Sequence, residues 1–193
     1  RSLAKSDASL QVTTNQETGE ALLAGMGELH LEITVFRLEE EQNIKVKVSP
    51  PIVVYRESVE GNNRGRSFEG KSPNRHNRFM IECEPLSPEV VAALRDGHFG
   101  NGTVRSGDAK EVGNKFGELG MDKDKMRKIY AISGTNVLVN DTKGIQGLHE
   151  TRELIIESFN EVCKKGPVAD EPVMGMMVRL VDAKLHEDAI HRG

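Results

Sequence analysis

The sequence has no tryptophan, only 4% aromatic residues and just two cysteines among its 193 residues. With so few aromatic rings, a folded core must be built mainly from aliphatic side chains and methionine. The cysteines, Cys83 and Cys163, lie far apart in unrelated contexts. This leaves a disulfide open but favours two buried free thiols, which are typical of a reducing compartment. We therefore expect a cytoplasmic protein.

Long apolar runs are also missing. No stretch approaches the roughly 20 apolar residues that a membrane-spanning helix needs, so no membrane partner is expected. The chain opens with residues 1–5 (RSLAK), which contain neither a methionine nor the apolar segment of a signal peptide. This opening suggests a piece of a longer protein. The contents of hydrophobic residues (37%) and charged residues (29%) are typical of a globular fold.

Positive charge is concentrated in one segment, although the net charge of −4 argues against a protein that coats nucleic acid by bulk electrostatics. Residues 61–78 carry five cations against a single acid, Glu69, and are rich in Gly, Asn and Ser. Two interpretations stay open, a solvated loop and a patch that contacts phosphates. The cations are Arg64, Arg66, Lys71, Arg75 and Arg78.

The first quarter of the chain predicts alternating strands and a helix. Residues 10–14 and 21–24 read as the strands of a hairpin. Residues 28–42 fit both periodicities, but a length of about 15 residues favours a helix over a strand. Residues 44–48 alternate and predict a further strand. The resulting β-β-α-β order predicts most of a ferredoxin-like (split βαβ) domain of the α+β class. Pro50 and Pro51 disfavour regular structure and place a domain boundary after residue 51.

The remaining chain, residues 52–193, predicts a second α+β domain. The best helix runs from about residue 143 to residue 164, where Gly166 and Pro167 follow as stop signals. Residues 97–127 show only weak helical patterning. The other predicted elements are an extended segment over 52–59, the basic loop over 61–78, a helix over 88–95 capped by Ser87, and strands over 79–84, 128–132, 137–140 and 174–185.

Two histidines near the end suggest a metal-dependent hydrolase, but their spacing does not fit. The zinc motif H-E-x-x-H places its histidines four apart on one helical face. Here His186 and His191 are five apart, about 140° around an ideal helix, and the segment follows a predicted strand, so no metal ligand is predicted. A hydrolase that uses His186, Glu187 and His191 remains the alternative function. The sequence contains no P-loop and no nucleophile elbow, so no catalytic residue and no cofactor site are predicted.

Four stretches resemble the family of archaeal and eukaryotic elongation factor 2, the ribosomal translocases. Residues 24–33 (AGMGELHLEI) resemble a helix start in domain III, and residues 48–57 (VSPPIVVYRE) resemble the junction of domains III and IV. Residues 71–78 (KSPNRHNR) resemble the start of domain IV, and residues 185–193 (LHEDAIHRG) resemble its tip loop. The first two stretches are shared with bacterial elongation factor G, whereas the last two are more specific.

The resemblance implies a division of the chain. Residues 1–51 would be the C-terminal part of ferredoxin-like domain III. Residues 52–193 would be a domain IV, incomplete at its C-terminal end, with a fold like domain 2 of ribosomal protein S5. The parent protein would be a ribosome-dependent GTPase that binds GTP with Mg, and its GTPase domain lies outside these residues. This piece is therefore expected to be no enzyme, to bind no cofactor and to be a monomer.

The resemblance also implies a functional loop. His191 matches the histidine that is converted to diphthamide, while Asp188, Arg192 and Gly193 match neighbouring tip contacts, and His186 is expected to be scaffold. The implied partners are the ribosome, tRNA and mRNA at the decoding centre, and the diphthamide biosynthesis enzymes. The implied function is the GTP-dependent movement of tRNA and mRNA in translation elongation. The five basic residues of the 61–78 segment become candidate RNA contacts.

Overall fold

The computed structural model describes residues 7–14, 20–51, 53–61 and 65–192. The chain divides into two compact units, residues 1–54 and residues 55–193. We call these the first and the second unit. No helix within the described ranges combines the length and the apolar character required to cross a membrane.

The first unit contains an antiparallel strand pair and a helix. Strand β1 (Gln11–Thr14) pairs with β2 (Ala21–Ala24), and helix α1 (Glu28–Gln42) follows. The predicted strands and helix are confirmed, whereas the predicted turn over residues 15–19 lies outside the described residues. Helix α1 ends because Asn43 adopts a left-handed conformation (φ 54°) and donates its N–H to the carbonyl of Leu38.

The predicted strand over residues 44–48 is wrong, because these described residues belong to no strand. An alternating sequence forms a strand only where a neighbouring edge accepts its backbone hydrogen bonds. The sheet described in this unit has only the two strands β1 and β2. The helix likewise leaves apolar side chains uncovered, with Leu29 69% and Phe36 62% exposed.

The turn before β1 is tied to α1 through an acidic residue. The Asp7 carboxylate accepts hydrogen bonds from the Ser9 hydroxyl (2.5 Å) and the Ser9 amide (2.9 Å), and it lies 2.8 Å from His30 Nε2. The bonds from Ser9, followed by the one from His30, lower the pKa of Asp7 from 3.8 to about 2. The ionised form of Asp7 therefore stabilises this unit.

The second unit is built on a mixed six-stranded sheet, so the predicted α+β class is confirmed. Its strand order is β3-β4-β8-β7-β6-β5, and all pairs are antiparallel except the parallel pair of β7 and β8. The strands are β3 (Phe68–Lys71), β4 (Arg78–Pro85), β5 (Gly102–Thr103), β6 (Ile129–Ser133), β7 (Asn136–Asn140) and β8 (Met176–Lys184). The helices are α2 (Pro88–Arg95), α3 (Ala109–Glu118), α4 (Lys123–Met126) and α5 (Leu148–Lys164), and a 3-10 turn (Ala189–His191) follows β8.

Apolar cores cover both faces of the sheet. Successive residues of a strand point to opposite faces. Val137 and Val139 therefore pack in one core with Phe116 of α3, while Leu138 packs in the other with Phe159 of α5. Each such side chain, when fully buried, contributes about 1.5–3 kcal/mol relative to leaving it exposed. Cys83 is half-buried and Cys163 is buried, and both are free, as expected.

Several boundaries differ from the sequence prediction. Helix α5 begins at residue 148 rather than near 143, because Gly144 (φ 64°) and Gly147 (φ 76°) adopt left-handed conformations that an α-helix excludes. The 61–78 segment is not one continuous loop, since strand β3 lies inside it and pairs with β4, which begins at the last residue of the segment. Residues 53–59 form no strand and contribute one isolated bridge, from Glu57 to Val173. The predicted helix over residues 88–95 and its Ser87 cap are confirmed.

A largely buried charge cluster lies in the middle of the sheet. Arg179 of β8 faces Glu82 of β4, and its guanidinium also lies 2.6 Å from Glu84 and 3.1 Å from Asp141. Burial alone lowers the pKa of Arg179, but the hydrogen bonds and charges of these acids outweigh it, Glu84 above all, and raise that pKa. Because the pairing is specific to these positions, it favours one register of β4 against β8.

Candidate functional site at the end of strand β8

Strand pairing brings two distant segments together at one end of the sheet. Arg78 opens β4 and lies opposite Lys184, which ends β8. The residues before β4 and after β8 therefore meet at this end. We call residues 72–77 the asparagine turn and residues 185–192 the histidine loop. They belong to the two stretches that carried the more specific resemblance.

One buried amide fixes the histidine loop at two points. Asn77 has 0% exposure, and its Oδ1 accepts the N–H of His186 at 3.0 Å. Its Nδ2 donates to the carbonyl of His191 at 2.9 Å and to Ser72 Oγ at 3.1 Å. Asn74 Nδ2 also donates to the carbonyl of His191, at 3.0 Å. The backbone of His191 is thus held from two sides.

The asparagine turn is itself tightly folded. The N–H of Ser72 donates to the carbonyl of Asn77 at 3.0 Å, and the N–H of Arg75 donates to the carbonyl of Ser72 at 2.8 Å. The N–H of His76 donates to Asn74 Oδ1 at 3.0 Å. Arg75 has a positive φ of 61°, which is uncommon for a residue other than glycine. This geometry directs the imidazole of His76 toward the histidine loop.

Three imidazole rings meet at the site. The ring centroids lie 4.7 Å apart for His186 and His191, 4.9 Å for His76 and His191, and 5.1 Å for His76 and His186. His191 is exposed and His186 is half-buried. The N–H of Asp188 donates to His186 Nδ1 at 3.1 Å. One donor atom from each of His186, Asp188 and His191 lies within 4.8 Å of the others.

The spacing argument against a zinc site rested on the helical geometry of H-E-x-x-H and on the strand that precedes the histidines. The chain does leave a strand here, β8, and it then bends at residues 187–188 and enters a 3-10 turn. This path returns His191 to His186, so a separation of five residues does not keep their rings apart. The carboxylate that joins the two histidines belongs to Asp188 rather than to Glu187.

Arg192 fastens the histidine loop to helix α5. Its Nε donates to the carbonyl of His186 and its Nη2 to the carbonyl of Glu187, both at 2.8 Å. Its Nη1 forms an ion pair with Glu150 of α5 at 2.8 Å, and the Arg192 side chain is only 12% exposed. The guanidinium lies so close to Gly147 that a Cβ there would overlap Nη1. Arg192 is therefore held within the protein, and Gly193 lies outside the described residues.

The basic residues of the 61–78 segment are placed differently from one another. Glu69 lies 3.6 Å from Lys71 Nζ and 3.5 Å from Arg78 Nη1, which partly offsets both charges. Arg75 is exposed on the asparagine turn, next to His76. Arg66 is exposed before β3, and Arg64 lies outside the described residues.

Sequence reasoning did not assign roles to several residues that form this site. His76, Asn74 and Asn77 stand in the sequence only as members of the stretch 71–78 that resembles the family, and no local pattern marks Gly147. The available signal was the pair of asparagines, because Asn side chains often bond backbone groups in turns. Their partner, the histidine loop, lies more than a hundred residues away in sequence.

Known domain families match both parts of the chain. Elongation factor G, domain IV, matches residues 102–193, which include the histidine loop. Elongation factor G, domain III, matches residues 1–50. The fold and the comparison thus define a chain that carries parts of two translational elongation-factor domains.

Whole-chain comparison narrows the family further. The chain is similar to elongation factor 2 of Thermoplasma volcanium (51% identity), of Picrophilus torridus (52%) and of Methanosarcina mazei (49%). Each match covers 100% of this chain and 26% of the relative, so the chain spans about a quarter of their length. The chain belongs to the archaeal elongation factor 2 family.

Proposed function

We propose that this chain is part of a ribosomal translocase and that its histidine loop is the tip that contacts the decoding centre. The observation that carries the proposal is that the backbone of His191 is held in place while its side chain is exposed. Its backbone carbonyl receives two side-chain amides, while its imidazole is exposed. A group that must reach a partner reproducibly needs such a fixed backbone and an accessible side chain.

The proposed domains follow the family. Residues 1–51 form part of a ferredoxin-like domain III, and residues 52–193 form part of a domain IV with a fold like domain 2 of ribosomal protein S5. The parent protein promotes the GTP-dependent movement of tRNA and mRNA in the cytoplasm. GTP and Mg bind in parts of the parent outside this chain, which itself acts as a monomeric arm without catalysis.

His191 is the proposed site of diphthamide. The modification adds a long cationic group to the imidazole, and the loop directs this ring into solvent. A cation at this position would meet the phosphates of mRNA or tRNA, which attract positive charge strongly at low salt. Asp188 is exposed beside the ring. Arg66 and Arg75 are the proposed further RNA contacts, because both are exposed.

Two arginines of the predicted sets take other roles in this proposal. Arg192 positions the loop through Glu150 and the carbonyls of His186 and Glu187. Arg78 is balanced in part by Glu69 and acts less as an RNA contact than Arg75 does. The alternative hydrolase has less support, because Asp188 rather than Glu187 groups with the two histidines.

The test uses the parent factor from an organism that makes diphthamide. Mass spectrometry of the peptide that contains residues 185–193 should show the modification on His191. ADP-ribosylation by diphtheria toxin should be lost in His191→Ala and retained in His149→Ala, which changes an exposed histidine on α5 (84% exposed side chain). An unmodified His191, or labelling that survives His191→Ala, would refute the proposal.

A binding assay tests the RNA contacts. The parent factor with Arg75→Ala or Arg66→Ala should bind ribosomes more weakly, and the salt dependence of binding should become shallower because fewer phosphates are neutralised. Arg152→Ala is not a suitable control, since this arginine packs over Tyr130. Lys115→Ala on α3 is a better one, because it removes an exposed cation paired with Glu111. Equal losses in all three variants would show a nonspecific charge effect.

A further inference from the structure

We propose that the histidine loop binds a divalent zinc ion through His186, Asp188 and His191 when His191 is unmodified. These three side chains supply two imidazole nitrogens and one carboxylate oxygen, and the donor atoms lie within 4.8 Å of one another. Two imidazoles with one carboxylate form a donor set that zinc accepts, with a further position open to water. The site does not depend on the ribosomal role of the loop.

The required contraction is small. Zinc binds nitrogen and oxygen donors at about 2.0–2.2 Å, so the donors of a tetrahedral site lie roughly 3.3–3.5 Å apart. From a separation of at most 4.8 Å, side-chain rotation must bring the donors closer by about 1.5 Å or less. His191 and Asp188 are exposed, so their side chains can rotate without displacing a packed core.

The backbone of the site is already ordered. Asn77 holds the N–H of His186 and the carbonyl of His191, and Arg192 holds the carbonyl of His186. Metal binding then costs less conformational entropy than it would in a free loop, because the chain does not have to be closed around the ion. The ring of His76 lies with its centroid within 5.1 Å of both other rings and closes one side of the site, although His76 is outside the group of close donors.

One existing hydrogen bond opposes binding. His186 Nδ1 accepts the N–H of Asp188 at 3.1 Å, so coordination through Nδ1 replaces this bond. Nearby charges are mixed, with the carboxylates of Asp188 and Glu150 against the guanidinium of Arg192. We therefore expect an affinity on the order of micromolar, well short of the tight binding of closed structural zinc sites.

The test is a titration of the 193-residue chain with zinc chloride. The protein is made in a bacterial host, in which we expect His191 to be unmodified, stripped with a chelator and studied by isothermal titration calorimetry. One ion should bind per chain. His186→Ala, Asp188→Ala and His191→Ala should each weaken binding at least tenfold. His149→Ala should leave it unchanged, because His149 lies on α5 outside the group.

Folding measurements exclude misfolding as the cause of weaker zinc binding. Far-UV circular dichroism and the urea midpoint of Asp188→Ala and His191→Ala should match those of the unsubstituted chain, since Asp188 and His191 are exposed. Absence of stoichiometric binding would overturn the proposal, as would retention of full affinity in His191→Ala or an equal loss in His149→Ala. None of these results would bear on toxin labelling or ribosome binding, so the proposed function is tested separately.

Discussion

Replacing Asn77 with alanine tests whether one buried amide holds the functional loop. The substitution removes the acceptor for the N–H of His186 and the donors to the His191 carbonyl and Ser72 Oγ. The carbonyl of His191 keeps its bond from Asn74, so it is not stranded. The N–H of His186 loses its acceptor in a half-buried position.

The expected loss of stability follows from these contacts. A typical net hydrogen bond contributes about 0.5–1.5 kcal/mol, and a buried donor left without an acceptor costs about 1–3 kcal/mol. Two ordinary bonds and one stranded donor together predict a loss of about 2–6 kcal/mol for Asn77→Ala. Asn101→Ala is the matched control, because exposed Asn101 accepts one bond, from the Gly134 N–H at 3.1 Å, and should cost below about 1 kcal/mol.

Two measurements separate local from global effects. Urea unfolding gives the free energy with its slope, and amide hydrogen exchange at His186 reports opening of the loop. Asn77→Ala should lower the unfolding free energy and speed exchange at His186, while Asn101→Ala should leave that exchange unchanged. The reasoning would be refuted if the unfolding free energy of Asn77→Ala lay within about 0.5 kcal/mol of that of the unsubstituted chain and exchange at His186 were unaltered.

Gly147→Ala should destabilise the chain more than Gly144→Ala in urea unfolding. Both glycines are left-handed, a conformation that costs about 1–2 kcal/mol for a residue with a side chain. Only a Cβ at Gly147 would also overlap the Arg192 guanidinium. Equal losses of stability in the two variants would contradict the close contact between Arg192 and Gly147. In NMR titration, the Asp7 carboxyl should have a pKa of about 2, and Ser9→Ala should raise it toward 3.8. Because folding lowers the pKa of Asp7, the stabilisation by its carboxylate is present above pH 3.8 and is lost as the pH falls toward 2. A pKa near 3.8 for Asp7 in the unsubstituted chain would contradict the assignment.

Secondary-structure elements with clear start or stop residues could be predicted from the local sequence. Helix α2 has a Ser87 cap and a proline at its first position, and it was predicted with both ends correct. Helix α5 was predicted with the wrong start, because a hydrophobic pattern does not show which glycines turn left-handed. The strand over residues 44–48 failed since its partner edge is absent from the described sheet.

The site was less accessible to sequence reasoning than the elements. The resemblance marked the two segments, but the contact between them depends on pairing of β4 with β8, about a hundred residues apart. Sequence spacing also does not show how close the two histidines come. The rings of His186 and His191 meet because the chain bends after β8 and then enters a 3-10 turn, a path that the helical zinc motif does not describe.

The position of the histidine loop depends on a single irregularity in the β4–β8 ladder. Ile81 faces Leu180 and Met80 faces Asp182, so Val181 is passed over as a bulge. Arg179, paired with Glu82, anchors the register on the inner side of this bulge. Without the bulge, Ala183 rather than Lys184 would face Arg78, and every residue beyond it would shift by one position. His186 would then no longer present its N–H to Asn77, because a shift of one residue reverses the faces of a strand. The charge cluster and the bulge therefore act together to place the loop that carries His191.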